Sequence, residues 1–258
     1  MPSTSITFRQ PAHLGCTAIW PTSRLRGCVR GTMPSALHWD LTPISIGSGG
    51  FMAQTNINGI RMRYDDVGQG PALLLLHAFP LSAAMWQPQV EALQDQFRLI
   101  VPDLRGFGGT DAPPGTYPMD EMADDLAALL DFLGIEQAAL CGLSMGGYIA
   151  MAFLRHYPSR VRALILADTR AGADSDEARA AREANARLAE SAGPTAIADK
   201  MIPGLVAPYA TKAVRDTLRS LILANTPEGI AGALRGMAVR PDSTAGLCDM
   251  SVPTLVIV

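Results

Sequence analysis

Leu140-Cys141-Gly142-Leu143-Ser144-Met145-Gly146-Gly147-Tyr148 is the stretch on which the fold turns. Gln137 to Cys141 reads as a buried strand, the glycines pinch a turn, and a helix runs from Met145 to about Tyr157. Gly142-x-Ser144-x-Gly146 fits a nucleophile elbow, a sharp strand-to-helix turn that lifts a serine hydroxyl above a sheet. A side chain at 142 or 146 is expected to collide with the neighbouring strand or the incoming helix, and the serine to be strained. The helix N-terminus aims partial positive charge at this point, and the Met145 N–H is free to bind an oxyanion. An ordinary Gly-Ser turn has the same letters. What favours the elbow is its place between an apolar strand and an amphipathic helix.

Outward from the elbow, the chain alternates. Thr55–Ile57 and Ile60–Tyr64 flank Asn58-Gly59, a two-residue hairpin signal. Ala72 to Leu76 is a continuously apolar strand, as expected for one buried on both faces and far too short to cross a bilayer. His77-Ala78-Phe79-Pro80 leaves it, residues 82–95 read as a helix, and Arg98 to Val101 as the next strand. The loop Pro102 to Asp111 follows. Met119 to Leu133 is an amphipathic helix stopped by Gly134. Beyond the elbow helix, Ala163–Ala167 is another buried strand, ending at Asp168. This rhythm predicts an α/β fold, a mostly parallel doubly wound sheet with helices on both faces and right-handed crossovers.

Four segments follow: an irregular extension over 1–51, a core over 52–171, a helical cap over 172–240, and a return to the core over 241–258. Residues 172–240 are Ala-rich and without strand candidates, punctuated at Gly193-Pro194, Pro203-Gly204 and Pro227. They are expected to lie over the carboxyl ends of the strands, where such sheets bind ligands. Val252 to Val258 resumes the sheet, and the stop inside an apolar strand reads as a chain cut short that leaves a sticky sheet edge. The extension carries Arg9, Arg24, Arg26 and Arg30 against Asp40 alone. It fits either a transit peptide or a non-native leader with the functional chain starting at Met52.

Composition excludes several function classes. With 258 residues, 48% hydrophobic and 17% charged, the chain is a globular protein with a sizeable core. A net charge of −3 argues against binding nucleic acid or an anionic membrane. Cys16, Cys28, Cys141 and Cys248 have no metal-ligand spacing; they suggest a reducing compartment, taken as the cytoplasm, without a disulfide framework. Gly106-Phe107-Gly108-Gly109 lacks a following Lys-Ser/Thr and is no phosphate cradle. No metal or organic cofactor is implied.

His77-Ala78-Phe79-Pro80, then Asp103-Leu104-Arg105-Gly106-Phe107-Gly108, then Gly142-Leu143-Ser144-Met145-Gly146-Gly147, in this order and spacing, resemble the α/β-hydrolase superfamily. Within it they resemble the capped serine hydrolases of the 3-oxoadipate enol-lactonase type, over residues 52–258. The resemblance implies an enzyme without cofactor, acting on a small-molecule ester or lactone, plausibly an enol-lactone with a carboxylate. Ser144 would attack the carbonyl carbon, and the backbone N–H groups of Phe79 and Met145 would hold the oxyanion. Ala78 replaces the glycine usual in the family's loop, which the fold tolerates if its backbone angles stay negative. His77 is expected to brace that loop, and Asp103 and Arg105 to tie the loop after the fourth strand; a substrate carboxylate is the other partner open to Arg105. Epoxide and haloalkane opening on this fold use an aspartate at the elbow, which Ser144 is not.

Two of the family's three catalytic parts are missing. The family's acid follows the strand that here is Thr254–Val258, and its histidine comes later still. This chain holds only His13, His38, His77 and His156. His156 lies at the far end of the elbow helix, roughly 18 Å along its axis from the serine. Asp168 stands where some members carry the acid, but has no histidine to orient. The alternatives to an active hydrolase are a non-catalytic ligand-binding protein on the same fold, or an inactive fragment of it.

Overall fold

The computed structural model describes residues 51–258. The extension expected over 1–51 lies outside the described residues, apart from Phe51, which opens the first strand. Strands β1 (Phe51–Ile57) and β2 (Ile60–Val67) pair antiparallel, with Ile57 opposite Ile60. The turn between them needs left-handed backbone at both central positions, and Asn58 and Gly59 supply it with φ of 45° and 80°. Strands β3 (Ala72–Leu76), β4 (Arg98–Pro102), β5 (Ala138–Leu143), β6 (Val161–Ala167) and β7 (Thr254–Ile257) complete one seven-stranded sheet. Its order is β1-β2-β4-β3-β5-β6-β7, antiparallel from β1 to β4 and parallel from β4 to β7.

Helices cover both faces. On one, α2 (Met119–Phe132) and α3 (Met145–His156) pack on Leu74, Leu76, Ile100, Leu140 and Leu164. On the other, Trp86 and α1 (Gln87–Leu93) cover Leu73, Leu75, Leu99 and Val101. The single helix expected over 82–95 is divided. Ala83–Trp86 forms a 3₁₀ turn and α1 begins only at Gln87, because Pro88 has no N–H to give a continuous helix and is tolerated only in a first turn. The strand expected to end at Cys141 instead runs to Leu143, since Gly142 and Leu143 still pair with Leu166 and Ala167. Cys141 is half-buried, and burial pushes its thiol up to about 11, leaving it a poor nucleophile.

Between β6 and β7 come α4 (Asp176–Leu205), α5 (Lys212–Leu223) and α6 (Pro227–Ala238). Gly193 breaks α4 with a φ of 74° and Pro227 opens α6, whereas Pro203 marks no break, since it lies inside α4 two residues before its end. Helix α6 packs on α4 and lies directly on the loop before α2. A Cβ on Gly229 would stand 1.8 Å from the Gly106 carbonyl oxygen, and one on Gly236 1.6 Å from that of Tyr117. The short helix α7 (Thr244–Leu247) precedes β7, whose described residues are all exposed.

Candidate active site

Ser144 joins β5 to α3 with φ 52° and ψ −108°, a conformation that costs a residue with a side chain on the order of 1–3 kcal/mol. Its backbone is held from several directions. The Ser144 N–H donates to the Ala167 carbonyl at 2.9 Å, and its carbonyl accepts from Gly147 N–H at 3.0 Å, Tyr148 N–H at 3.3 Å and the Thr169 hydroxyl at 2.8 Å. Such over-determination is what lets a strained residue persist. The glycines are required for close approach. A Cβ on Gly142 would meet the Gly146 carbonyl oxygen at 2.3 Å, and one on Gly146 the Leu76 carbonyl oxygen at 2.2 Å. Helix and neighbouring strand are thus the obstacles expected. Ser144 is half-buried, and its hydroxyl bonds to none of the described residues.

Two backbone amides near this turn are also uncommitted. Among the described residues neither Met145 N–H nor Phe79 N–H has an acceptor. Strands β3 and β5 pair with Leu76 opposite Gly142, so Phe79 and Met145 each lie three residues beyond a matched pair. No acid sits in the first turn of α3 to offset its dipole. The Ala78 backbone does not take a positive φ, its methyl is buried, and its carbonyl accepts from Leu81 N–H at 2.9 Å. The alanine therefore fits where a glycine is usual.

His77 is a brace. It is fully buried, its Nδ1 lies 3.0 Å from the Ala78 carbonyl and its Nε2 accepts from Leu104 N–H at 3.1 Å. These partners fix a neutral ring with the proton on Nδ1. Asp103 works beside it, accepting from Ala83 N–H at 2.8 Å and Gly109 N–H at 2.9 Å. Arg105 holds Asp125 of α2 through two bonds of 2.8 Å, and Glu121 lies 3.3 Å away. That commitment removes Arg105 as a partner for a substrate carboxylate.

Burial holds the His77 imidazole below its ordinary value, against the opposing pull of the Ala78 carbonyl and the Asp103 charge. The unfolded chain therefore binds the extra proton first as pH drops. Stability from neutral His77 is complete above about pH 6.5 and is lost as pH falls through the lower folded value, by at most about 1.4 kcal/mol per pH unit. Urea midpoints are expected to fall below that pH in the wild type and to lose this component in His77→Gln. Identical pH slopes in the two proteins would refute the assignment.

The other expected partners stand apart. His156 lies at the end of α3 between Asp120 (3.6 Å) and Asp124 (3.5 Å) of α2. Asp168 is exposed with a φ of 39°, its N–H donating to the Ile257 carbonyl at 2.8 Å. His13 and His38 lie outside the described residues. No base among the described residues meets Ser144. A cavity of about 300 Å³ opens elsewhere, walled by Met151, Leu154, Leu247, Met250 and Val252. Among the described residues no three His, Cys, Asp or Glu side chains converge as a metal site, and no helix is long and apolar enough to cross a membrane.

Sequence reasoning missed Thr169, whose hydroxyl ties the elbow, and Asn225, which reaches the Phe79 loop from the α5–α6 junction. A lone asparagine between two helical patterns was the only available signal for the latter.

Comparison with known proteins identifies the family of the fold. Residues 71–200 match the model of the alpha/beta hydrolase fold. The chain is 33% identical over 208 residues to 3-oxoadipate enol-lactonase 2 of Acinetobacter baylyi, covering 77% of this chain and 74% of that protein. A solved thermophilic esterase from Thermogutta terrifontis, with malate bound, superposes with a TM-score of 0.75 at 47% identity, over 80% of this chain and 77% of that one. Epoxide hydrolase 2 of Siraitia grosvenorii is 45% identical over 111 residues, only 42% of this chain and 35% of that protein.

Proposed function

The chain belongs to the alpha/beta hydrolase fold family, and we propose that within it the protein is a serine hydrolase of small carboxylic esters or lactones. One observation carries the reading: a strained serine at a strand-to-helix turn whose hydroxyl, like the Phe79 and Met145 amides, has no hydrogen-bond partner among the described residues. Ser144 Oγ attacks the carbonyl carbon while a base from solution, such as imidazole, takes its proton. The carbonyl oxygen becomes an oxyanion that accepts from Phe79 and Met145 N–H. Collapse of the tetrahedral species breaks the C–O bond, the protonated base returns its proton to the leaving alkoxide oxygen, and an acyl-serine is left for water to cleave. On this reading residues 52–171 are the core, 172–240 a helical cap and 241–258 the return to the core. The lactonase and esterase relatives support an ester-type bond. The local likeness to epoxide hydrolases reflects the shared core, because a serine at the elbow favours acyl over alkyl transfer.

A serine hydroxyl needs a base, and losing a triad histidine costs on the order of 10⁶ in turnover. No described residue bonds Ser144 Oγ, so the test supplies the base from solution. A fluorophosphonate probe is expected to label Ser144 slowly, faster as imidazole is added, and not at all in Ser144→Ala. Peptide mass spectrometry locates the adduct. No adduct at Ser144 at high imidazole, or an equal adduct in Ser144→Ala, would end the reading. That no base stands beside Ser144 among the described residues favours a second possibility, a non-catalytic ligand-binding protein. It predicts binding of small esters without an adduct under any imidazole concentration.

A further inference from the structure

We infer that Asn225 is a positioning residue that ties the helical segment above the core to the loop carrying the Phe79 amide; this rests on the reading of that amide as an oxyanion donor. Asn225 lies between α5 and α6, 4% exposed. Its Nδ2 donates to the Pro80 carbonyl at 2.8 Å and to the Leu221 carbonyl at 3.0 Å, and its Oδ1 accepts from Gly108 N–H at 2.8 Å. Both amide protons are thus used, and the side chain has one orientation that satisfies all three partners. Pro80 follows Phe79 directly. The turn holding both is closed by Leu81 N–H on the Ala78 carbonyl at 2.9 Å. Pulling on the Pro80 carbonyl therefore sets the tilt of the turn, and with it the direction of the Phe79 N–H.

The other end of the tie matters equally. Gly108 sits in the loop that Asp103 already fastens to residue 83, through Gly109 N–H and Ala83 N–H. His77 fastens the same loop at Leu104. His77 and Asp103 thus join two core loops to each other, whereas Asn225 joins both to the helical segment. Its contacts are 117 and 145 residues distant in sequence. Helix α6, which starts two residues later, rests on Gly106 of the same loop. A change in how the helices sit is consequently transmitted to the turn bearing the Phe79 amide.

Asn225→Ala removes the tie. Asn225→Asp keeps the acceptor for Gly108 N–H but turns a carboxylate oxygen toward two carbonyls. A carboxyl buried there is expected to hold its proton to higher pH than usual and, once protonated, can again donate to Pro80. The experiment follows hydrogen exchange of residues 77–83 alongside imidazole-assisted fluorophosphonate labelling of Ser144 in the full chain. In Asn225→Ala, exchange over 77–83 is expected to rise and the limiting labelling rate to fall, each about tenfold, with half-saturating probe unchanged within about twofold. In Asn225→Asp the labelling deficit at about pH 8 is expected to shrink by about pH 5, which a general loss of packing would not produce. Unchanged exchange over 77–83 overturns the tie. Raised exchange with an unchanged limiting rate overturns its role in positioning. Absence of any Ser144 adduct in the wild type, with the exchange difference intact, would fail the hydrolase reading and leave the tie standing. Should Asn225→Ala not fold, the pH-dependent recovery of Asn225→Asp decides alone, and a flat ratio to the wild type refutes the positioning role.

Discussion

Gly146→Ala is expected to destabilise the protein by about 3 kcal/mol or more, a large share of the stability of an ordinary domain. In an ordinary helix the same change would help by about 1 kcal/mol, since alanine is the better helix former. Here the added Cβ lands 2.2 Å from the Leu76 carbonyl oxygen and 2.7 Å from its carbon. Those are backbone atoms of β3, a strand fixed on both sides by β4 and β5, and they cannot rotate away as a side chain would. The clash must be relieved by sliding α3 off the sheet, which also moves Ser144 relative to Phe79. Gly204→Ala serves as the control: it is helical, its Cβ would meet nothing within 4 Å, and it should be neutral or slightly stabilising. Urea unfolding monitored by circular dichroism measures both. A folded Gly146→Ala with the wild-type midpoint would mean that α3 does not approach β3 this closely.

Local chemistry made the elbow legible. Gly142, Ser144 and Gly146 are close in sequence, and their conformational demands are set by a strand meeting a helix at a sharp angle. The Asn58-Gly59 hairpin and the Leu-rich β3 were legible for the same reason: backbone angles and burial are properties of neighbours. What the letters hid is long-range. Which strand lies beside β5 is written nowhere near it, yet the pairing of Leu76 with Gly142 is what brings the Phe79 loop to the elbow. Arg105 offered a guanidinium to a substrate or to the fold, and only the position of Asp125 on α2 decided for the fold. The glycines of α6 look like poor helix formers until the Gly106 and Tyr117 backbones appear beneath them. The division at Pro88 was legible in principle, since proline lacks the N–H a continuing helix needs, but an apolar pattern spanning 82–95 masked it.

Asp174 carries the second large effect. Its carboxylate is completely buried and receives Arg240 at 2.8 Å, Arg170 at 2.9 Å and Arg182. Arg240 is itself 3% exposed at its side chain, bonds the Met237 and Gly172 carbonyls at 2.9 Å, and stacks 4.1 Å over the ring of Tyr148 in α3. The cluster thus joins the chain after β6, α4, the end of α6 and the elbow helix. Asp174→Asn keeps the shape but strips the counter-charge from a buried guanidinium whose Nε has no partner among the described residues. The expected cost is about 3–5 kcal/mol, because an unpaired buried charge is penalised far more than the pair is rewarded. Replacing both partners, as in Asp174→Asn with Arg240→Met, should cost less than Asp174→Asn alone. Acid gives an independent check. Burial alone would raise the Asp174 carboxyl, but hydrogen bonds from Arg182 and Arg240 outweigh it and hold the group below its ordinary value. The stabilisation is then whole above about pH 4 and disappears only as pH falls through the lower folded value. The urea-midpoint gap between wild type and Asp174→Asn should stay constant from neutral pH to about pH 4 and close below it. A gap already closing between pH 7 and 5 would mean that the carboxylate is not held by these arginines, and a double variant less stable than the single would mean that Arg240 does not need its charge partner.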